Sequence, residues 1–316
     1  IASDAEETSE ETSEEVIPVE GEPYMNVYAV DPVTNDGEYT AVLGEHLTDP
    51  DGFLTGSYAT VYNCLNDDEH AKEIFSPGGS YTLCWVTQTV QPGDDGTYLH
   101  VVPPAQDTDP NDAFAETQMY YHINQIHDYY AEMHGTTHMD AEPITGLVNL
   151  GMKFNGAWQA FDNAAFMPKA SMSAMGIDFD EVKGDAIVFG QGTFLDFTYD
   201  ASVIYHEYTH AIIGEGRLFG DAADIYGLNP EPMALNEGHA DYFAASYIGE
   251  PQIGKYALDM PMYGDLSRRL DEYKHCPEDM IGESHHDGRM WSSALWAVRE
   301  ILGAEITDRV VYKALM

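Results

Sequence analysis

The sequence predicts an α+β fold with a β-rich N-terminal part and a mainly helical C-terminal part. Three observations predict it. Short runs of alternating apolar residues, broken by Gly, Pro, Asn and Asp, occupy residues 24–105. A segment with apolar residues at helical spacing follows, at Met119, Ile123 and Ile126. From Asp200 onward the pattern is again helical.

Residues 1–23, IASDAEETSEETSEEVIPVEGEP, are acidic and almost free of large apolar side chains, and read as a disordered tether. Within residues 24–105 the runs YMNVYAV, SYATVYNC, SYTLCWVTQTV and TYLHVV read as strands. Asp109, Pro110 and Asn111 then open a helix through AFAETQMYYHINQIHDYYAEMHG. His122 and His127 in it are five residues apart, poor spacing for sharing one metal, so both read as packing or hydrogen-bonding residues. Residues 144–200 look like strands again. The resulting division is a tether (1–23), a β-rich segment (24–105), an α/β lobe (106–220) and a helical lobe (221–316), with no internal repeat.

The chain has 316 residues, 44% of them apolar, enough for one large core or two lobes. It has 13 basic and 55 acidic residues, a formal charge of −42. Such a surface repels nucleic acid and suits a salty extracellular setting or bound divalent cations, though it also serves simply as a solubilising surface. No run of 18 apolar residues exists, so no membrane span is expected. Cys64 and Cys84 could pair, which leaves Cys276 over. The chain begins at Ile1 without Met, as one whose targeting segment is removed or left out would.

The chemistry concentrates at His206-Glu207-Tyr208-Thr209-His210. On a helix, residues i and i+4 share a face, so both imidazoles reach one ion, while Glu207 sits beside it. Zinc then needs a third protein ligand and an open position. In the metzincin arrangement a third histidine follows six residues after the second, and here that place is Gly216. Downstream, Asn236-Glu237-Gly238-His239-Ala240-Asp241 opens a second apolar helix. Glu237 is assigned to the metal. Asp241, one turn on, is assigned to a histidine N–H, that of His206, because a ligating histidine must donate its other N–H somewhere. Asn236 reads as a supporting or capping residue, and His239 points elsewhere on that helix. A third segment, Glu283-Ser284-His285-His286-Asp287-Gly288-Arg289-Met290-Trp291, offers His285 or His286 as a hydrogen-bond donor opposite Glu207.

In this order, HEYTH, NEGHADYF and HHDGRMWSSALW resemble the three motifs of the gluzincin peptidases, more closely the fungalysin family than thermolysin. Weaker similarity at YYHINQIHDYY, at Val30–Val33 and at Leu54–Gly56 extends it over about residues 26–316. The resemblance implies a thermolysin-like two-lobed fold with zinc in the cleft between the lobes. It selects His285 over His286 as the donor, with Asp279 orienting its ring. It makes Asn163 and Ala164 part of an edge strand that binds substrate backbone. Arg268 becomes the ligand of a substrate carbonyl and Tyr226 a second oxyanion donor. Calcium is a further cation of the resembled family. The family's helical lobe usually continues past a point like Met316, so a shortened or trimmed lobe is expected. The expected function is that of a secreted, monomeric zinc endopeptidase acting on proteins or peptides, with Glu207 as general base. The alternative is a catalytically inactive zinc-containing surface binding or adhesion protein.

Overall fold

The computed structural model describes residues 18–76, 79–177, 179–214, 218, 222–224, 227–229, 231–261 and 264–316. Strands dominate up to residue 190. They are β1 (Tyr24–Val27), β2 (Thr40–Leu43), β3 (Ala59–Leu65), β4 (Lys72–Ser76), β5 (Gly79–Leu83) and β6 (Trp85–Thr87). After helix α1 (Phe114–His134) come β7 (Ile144–Phe154), β8 (Ala157–Ala160), β9 (Ala164–Met167), helix α2 (Lys169–Ala174) and β10 (Ala186–Gly190). The remainder is built on α3 (Ala201–Ile213), α4 (Glu231–Ile248), α5 (Ser284–Leu302) and α6 (Ala304–Leu315). The molecule is therefore mixed α+β, with the β-rich part first and the helical part second, as its pattern predicts.

One eight-stranded mixed sheet organises the first part, with the path β4-β5-β7-β10-β9. The first half of β7 runs parallel to both β3 and β10, and its second half pairs antiparallel with β5 and β8. β9 pairs antiparallel with β10 at the end of this path, and among the described residues no strand pairs with its outer side. Cys64 and Cys84 form a disulfide, their Cα atoms 5.2 Å apart. The run TYLHVV forms no strand. Tyr98 makes one bridge to Met25 while its hydroxyl donates to the Gly52 carbonyl, and Pro103 and Pro104 follow, which cannot donate to a ladder.

Helix α1 starts at Phe114, later than Asp109 suggests, because Asp112 supplies the capping oxygens to the amides of Phe114 and Ala115. Its buried face, Phe114, Met119, Tyr120, Ile123, Ile126 and Tyr130, packs into a core shared with Ile204, Tyr205 and Tyr208 of α3 and Phe243 of α4. His122 sits wholly inside that core, hydrogen-bonded to the Tyr205 hydroxyl (2.6 Å) and the Tyr28 carbonyl (2.9 Å). Both ring nitrogens are hydrogen-bonded inside the core, in the packing and hydrogen-bonding role that its sequence reading gives it. Asp308 of α6, also buried, accepts from Tyr129, Tyr242 and Ser246 and so ties α6 to α1 and α4. No helix of the described residues is long and apolar enough to cross a membrane.

Candidate metal centre

Helix α3 is capped by Asp200, whose Oδ1 accepts from the Ser202 amide and whose Oδ2 accepts from the amides of Tyr256 and Ala257. That anchor is fully buried. It fixes the helix from which His206 and His210 project together, their rings at 89° with centroids 4.6 Å apart. Helix α4 crosses α3 and brings Glu237 against them. The His206 and His210 Nε2 atoms lie 3.0 Å apart, and Glu237 Oε2 lies 3.1 and 3.5 Å from them.

This donor set fits a cation. The His206 Nδ1–H donates to Asp241 Oδ1 at 2.9 Å. The His210 Nδ1–H donates to Asn236 Oδ1 at 2.7 Å, and the Asn236 amide is held in that sense by its own donation to the Leu218 carbonyl. With each Nδ1 carrying the proton, both Nε2 atoms present lone pairs to one another and to a carboxylate oxygen. Glu237 Oε2 is buried without a hydrogen-bond partner. Three converging acceptors repel unless a cation sits among them. A tetrahedral zinc ion, about 2.0–2.1 Å from each ligand, would space them by about 3.3 Å.

The electrostatics agree. Burial penalises the Glu237 carboxylate, yet His210 and His206 hold its pKa well below the usual range. Burial likewise opposes a charge on His206, but Asp241 and Glu237 together draw that ring up to about 10. A proton and a metal thus compete for one lone pair. Behind His206, Arg268 donates from Nε and Nη2 to Asp241, which keeps Asp241 anionic.

Glu207 faces a cleft of about 230 Å³ lined by Asn163, Ala164, Phe166, Asn236 and His285 among others. Its Oε2 accepts from the Phe166 amide of β9 at 2.7 Å. Amides on a strand alternate in direction, so Ala164 turns its backbone groups to the same open side as Phe166. Asn163, in the other set, gives its carbonyl to the Gly190 amide. His285 Nε2 lies 3.6 Å from Glu237 Oε2, and its Nδ1 bonds Glu283 Oε1 at 2.7 Å.

Several expected residues fall elsewhere. Asp279 does not orient His285. It closes its own turn on His275, accepting from that amide at 2.7 Å. Glu283 takes the place instead, because it caps α5 two residues before His285 and its carboxylate already reaches the first amides of the helix. The signal was present as an acidic residue at a helix start. Arg268 donates from Nη2 to Asp241 Oδ1 at 2.7 Å, behind His206. His286 leans to Asp287, and His239 accepts from Trp291 Nε1, so neither joins the site. Tyr226 and Gly216 lie outside the described residues.

Two glycines close the arrangement. A Cβ on Gly288 would lie 2.7 Å from the Ala234 carbonyl oxygen and 3.1 Å from Glu237 Cβ, and one on Gly238 would lie 2.7 Å from the Gly288 carbonyl oxygen. These positions let α4 and α5 touch backbone to backbone, which carries His285 up to Glu237.

Comparison with known proteins agrees with this reading of the motifs. Residues 187–306, from β10 into the start of α6, match the fungalysin metallopeptidase family (M36). The thermostable neutral protease NprT of Geobacillus stearothermophilus is 24% identical over 249 residues, which is 75% of this chain. The chain spans only 38% of that relative's length. Among solved structures, the precursor of protealysin, a metalloproteinase from Serratia proteamaculans, aligns over 86% of this chain and 76% of its own. That alignment has a TM-score of 0.45 at 15% identity. The chain thus resembles the fungalysin-like zinc metallopeptidases, and the family match falls on the segment that carries the site.

Proposed function

We propose that this chain is a secreted zinc endopeptidase that hydrolyses peptide bonds in proteins or peptides. The observation that carries the reading is the convergence of His206 Nε2, His210 Nε2 and Glu237 Oε2 beside Glu207 and an open strand edge. When bound, zinc supplies a Lewis acid for the scissile carbonyl and lowers the pKa of water.

The residues of the chain do the rest. Substrate lies along β9 as an added antiparallel strand, meeting the outward backbone groups of Ala164 beside Asn163. By the resemblance, Arg268 serves a substrate carbonyl and Tyr226 a second oxyanion contact. Glu207 takes a proton from the attacking water and passes it to the leaving amine. The Phe166 amide fixes one of its oxygens and leaves the other for the water. His285, held by Glu283 through Nδ1, donates from Nε2 to the oxyanion.

A fluorogenic peptide assay with and without chelator tests the reading, together with Glu207→Gln. That variant should bind one equivalent of zinc and lose turnover. Cleavage at the wild-type rate would remove Glu207 as the base. Zinc binding with no turnover in the wild type would leave the binding-protein alternative.

A further inference from the structure

A second group of metal-donor side chains lies away from the His206 centre, where the loop after β2 meets helix α1. Glu45, His46 and Asp128 each offer one ligand atom there, and the three atoms all lie within 4.8 Å of one another. His46 Nε2 and Asp128 Oδ2 are 2.9 Å apart. Glu45 and Asp128 also line a cavity of about 560 Å³, together with Glu132, Glu305 and Arg309.

The backbone holds these donors in place. His46 has a φ of 64°, in the left-handed region that residues with a Cβ rarely adopt. Contacts on both sides impose it. The Glu45 carbonyl accepts from the Tyr120 hydroxyl of α1 at 2.9 Å, and the His46 carbonyl accepts from the Ser57 amide at 2.9 Å. A Cβ on Gly56 would lie 2.5 Å from that same His46 oxygen, so glycine is what lets the loop close there. The His46 ring then stands edge-on to Tyr58, their centroids 4.8 Å apart, and Tyr58 stacks on His127 at 3.6 Å. The imidazole is thereby turned to Asp128, 82 residues further along the chain.

Charge and donor chemistry both favour a cation of one kind. Four carboxylates, of Glu45, Asp128, Glu132 and Glu305, border the cavity against Arg309, which Glu305 engages at 3.3 Å. Carboxylate oxygens alone suit calcium or magnesium, whereas an imidazole beside carboxylates suits zinc and its neighbours. The 2.9 Å between His46 Nε2 and Asp128 Oδ2 is close to the 3.1 Å between His206 Nε2 and Glu237 Oε2. Glu45 is exposed, so its side chain can rotate onto the same ion.

We propose that Glu45, His46 and Asp128 form a second zinc-class site, with water from the cavity completing the shell. An ion there ties the loop to α1, whose buried face shares its core with α3. The site lies outside the cleft and does not depend on the peptidase reading.

The test counts zinc per folded chain by elemental mass spectrometry, after equilibration at micromolar zinc and removal of free ion. The wild type should hold two, His46→Gln one and His206→Gln one. The Tm of the wild type should rise further with zinc than that of His46→Gln. Should His46→Gln not fold, Glu45→Gln, at an exposed position, should lose the same equivalent. Millimolar calcium should leave both zinc ions in place. Equal zinc content in the wild type and in these loop variants overturns the proposal, by leaving His46 and Asp128 as an ion pair alone. Loss of all zinc in His206→Gln overturns it too, as does displacement of the second zinc by calcium. A single zinc in the wild type that is lost in His46→Gln supports this site and removes the His206 centre instead.

Discussion

Asp241 takes the Nδ1–H of His206 at 2.9 Å while receiving the Arg268 guanidinium at 2.7 Å, so one fully buried carboxylate sets both the tautomer of a ligand and the place of an arginine. Asp241→Asn keeps the shape but offers a weaker acceptor and leaves Arg268 uncompensated. Zinc affinity should fall about 10–100-fold, the scale for such supporting partners. Competition with a chromophoric chelator measures it. Unchanged affinity would mean that His206 is oriented by something else.

The exchange of Asp279 for Glu283 is also open to experiment. His285→Ala should cost about 10²–10³ in kcat, as loss of an oxyanion donor does. Glu283→Gln should lower kcat and kcat/KM, because the His285 ring loses the carboxylate that holds its Nδ1. Asp279→Asn should leave both unchanged. An Asp279 effect equal to that of Glu283 would restore the original assignment.

Gly288→Ala tests the close approach of α4 and α5. The added Cβ meets backbone rather than a flexible side chain, so the helices must separate. A loss of about 1–3 kcal/mol is expected, the usual range for overpacking, with kcat falling because His285 moves away from Glu237. Denaturant unfolding and the peptide assay read the two effects. A variant as stable and active as the wild type would show that the interface yields freely.

A pH test concerns Glu116, buried in α1, where it accepts from Asn63 and Thr89. Burial lifts its pKa from 4.5 to about 7. A raised acid contributes stability below its unfolded pKa that is lost as pH climbs through about 7. Buried His122 works in the opposite sense. Burial lowers its pKa from 6.5 to about 4, so its contribution is lost as pH falls over that window. The two limbs oppose each other, and variants are needed to separate them. Glu116→Gln should gain on the wild type, by up to about 3 kcal/mol, as pH rises from 4.5 to 8. Urea unfolding across that range measures it. A difference independent of pH would mean that Glu116 ionises normally.

Much of the site was legible along the chain because its parts are local. HEYTH places two imidazoles on one helical face by the 3.6-residue period alone, and Glu237 with Asp241 repeats that logic on the next helix. The β-rich and helical halves were legible for the same reason, since alternation and helical spacing are properties of neighbouring residues. TYLHVV was misread because its alternation serves one bridge and a set of core contacts rather than a ladder.

What the sequence by itself determined is the chemical inventory: two imidazoles on one helical face and carboxylates at helical spacing on the next helix. Which atoms converge was decided only by tertiary structure. Glu237 reaches His206 and His210 through the crossing of α3 and α4. His285 reaches Glu237 because Gly238 and Gly288 let α5 lie against α4. Arg268 comes to Asp241 from a strand pair far along the chain, and Glu207 meets β9 across the edge of the sheet. Such contacts depend on packing distance rather than sequence spacing, so a periodic pattern cannot encode them. Burial then sets the charge states, because the same carboxyl is held low beside Arg268 at Asp241 and pushed high at Glu116.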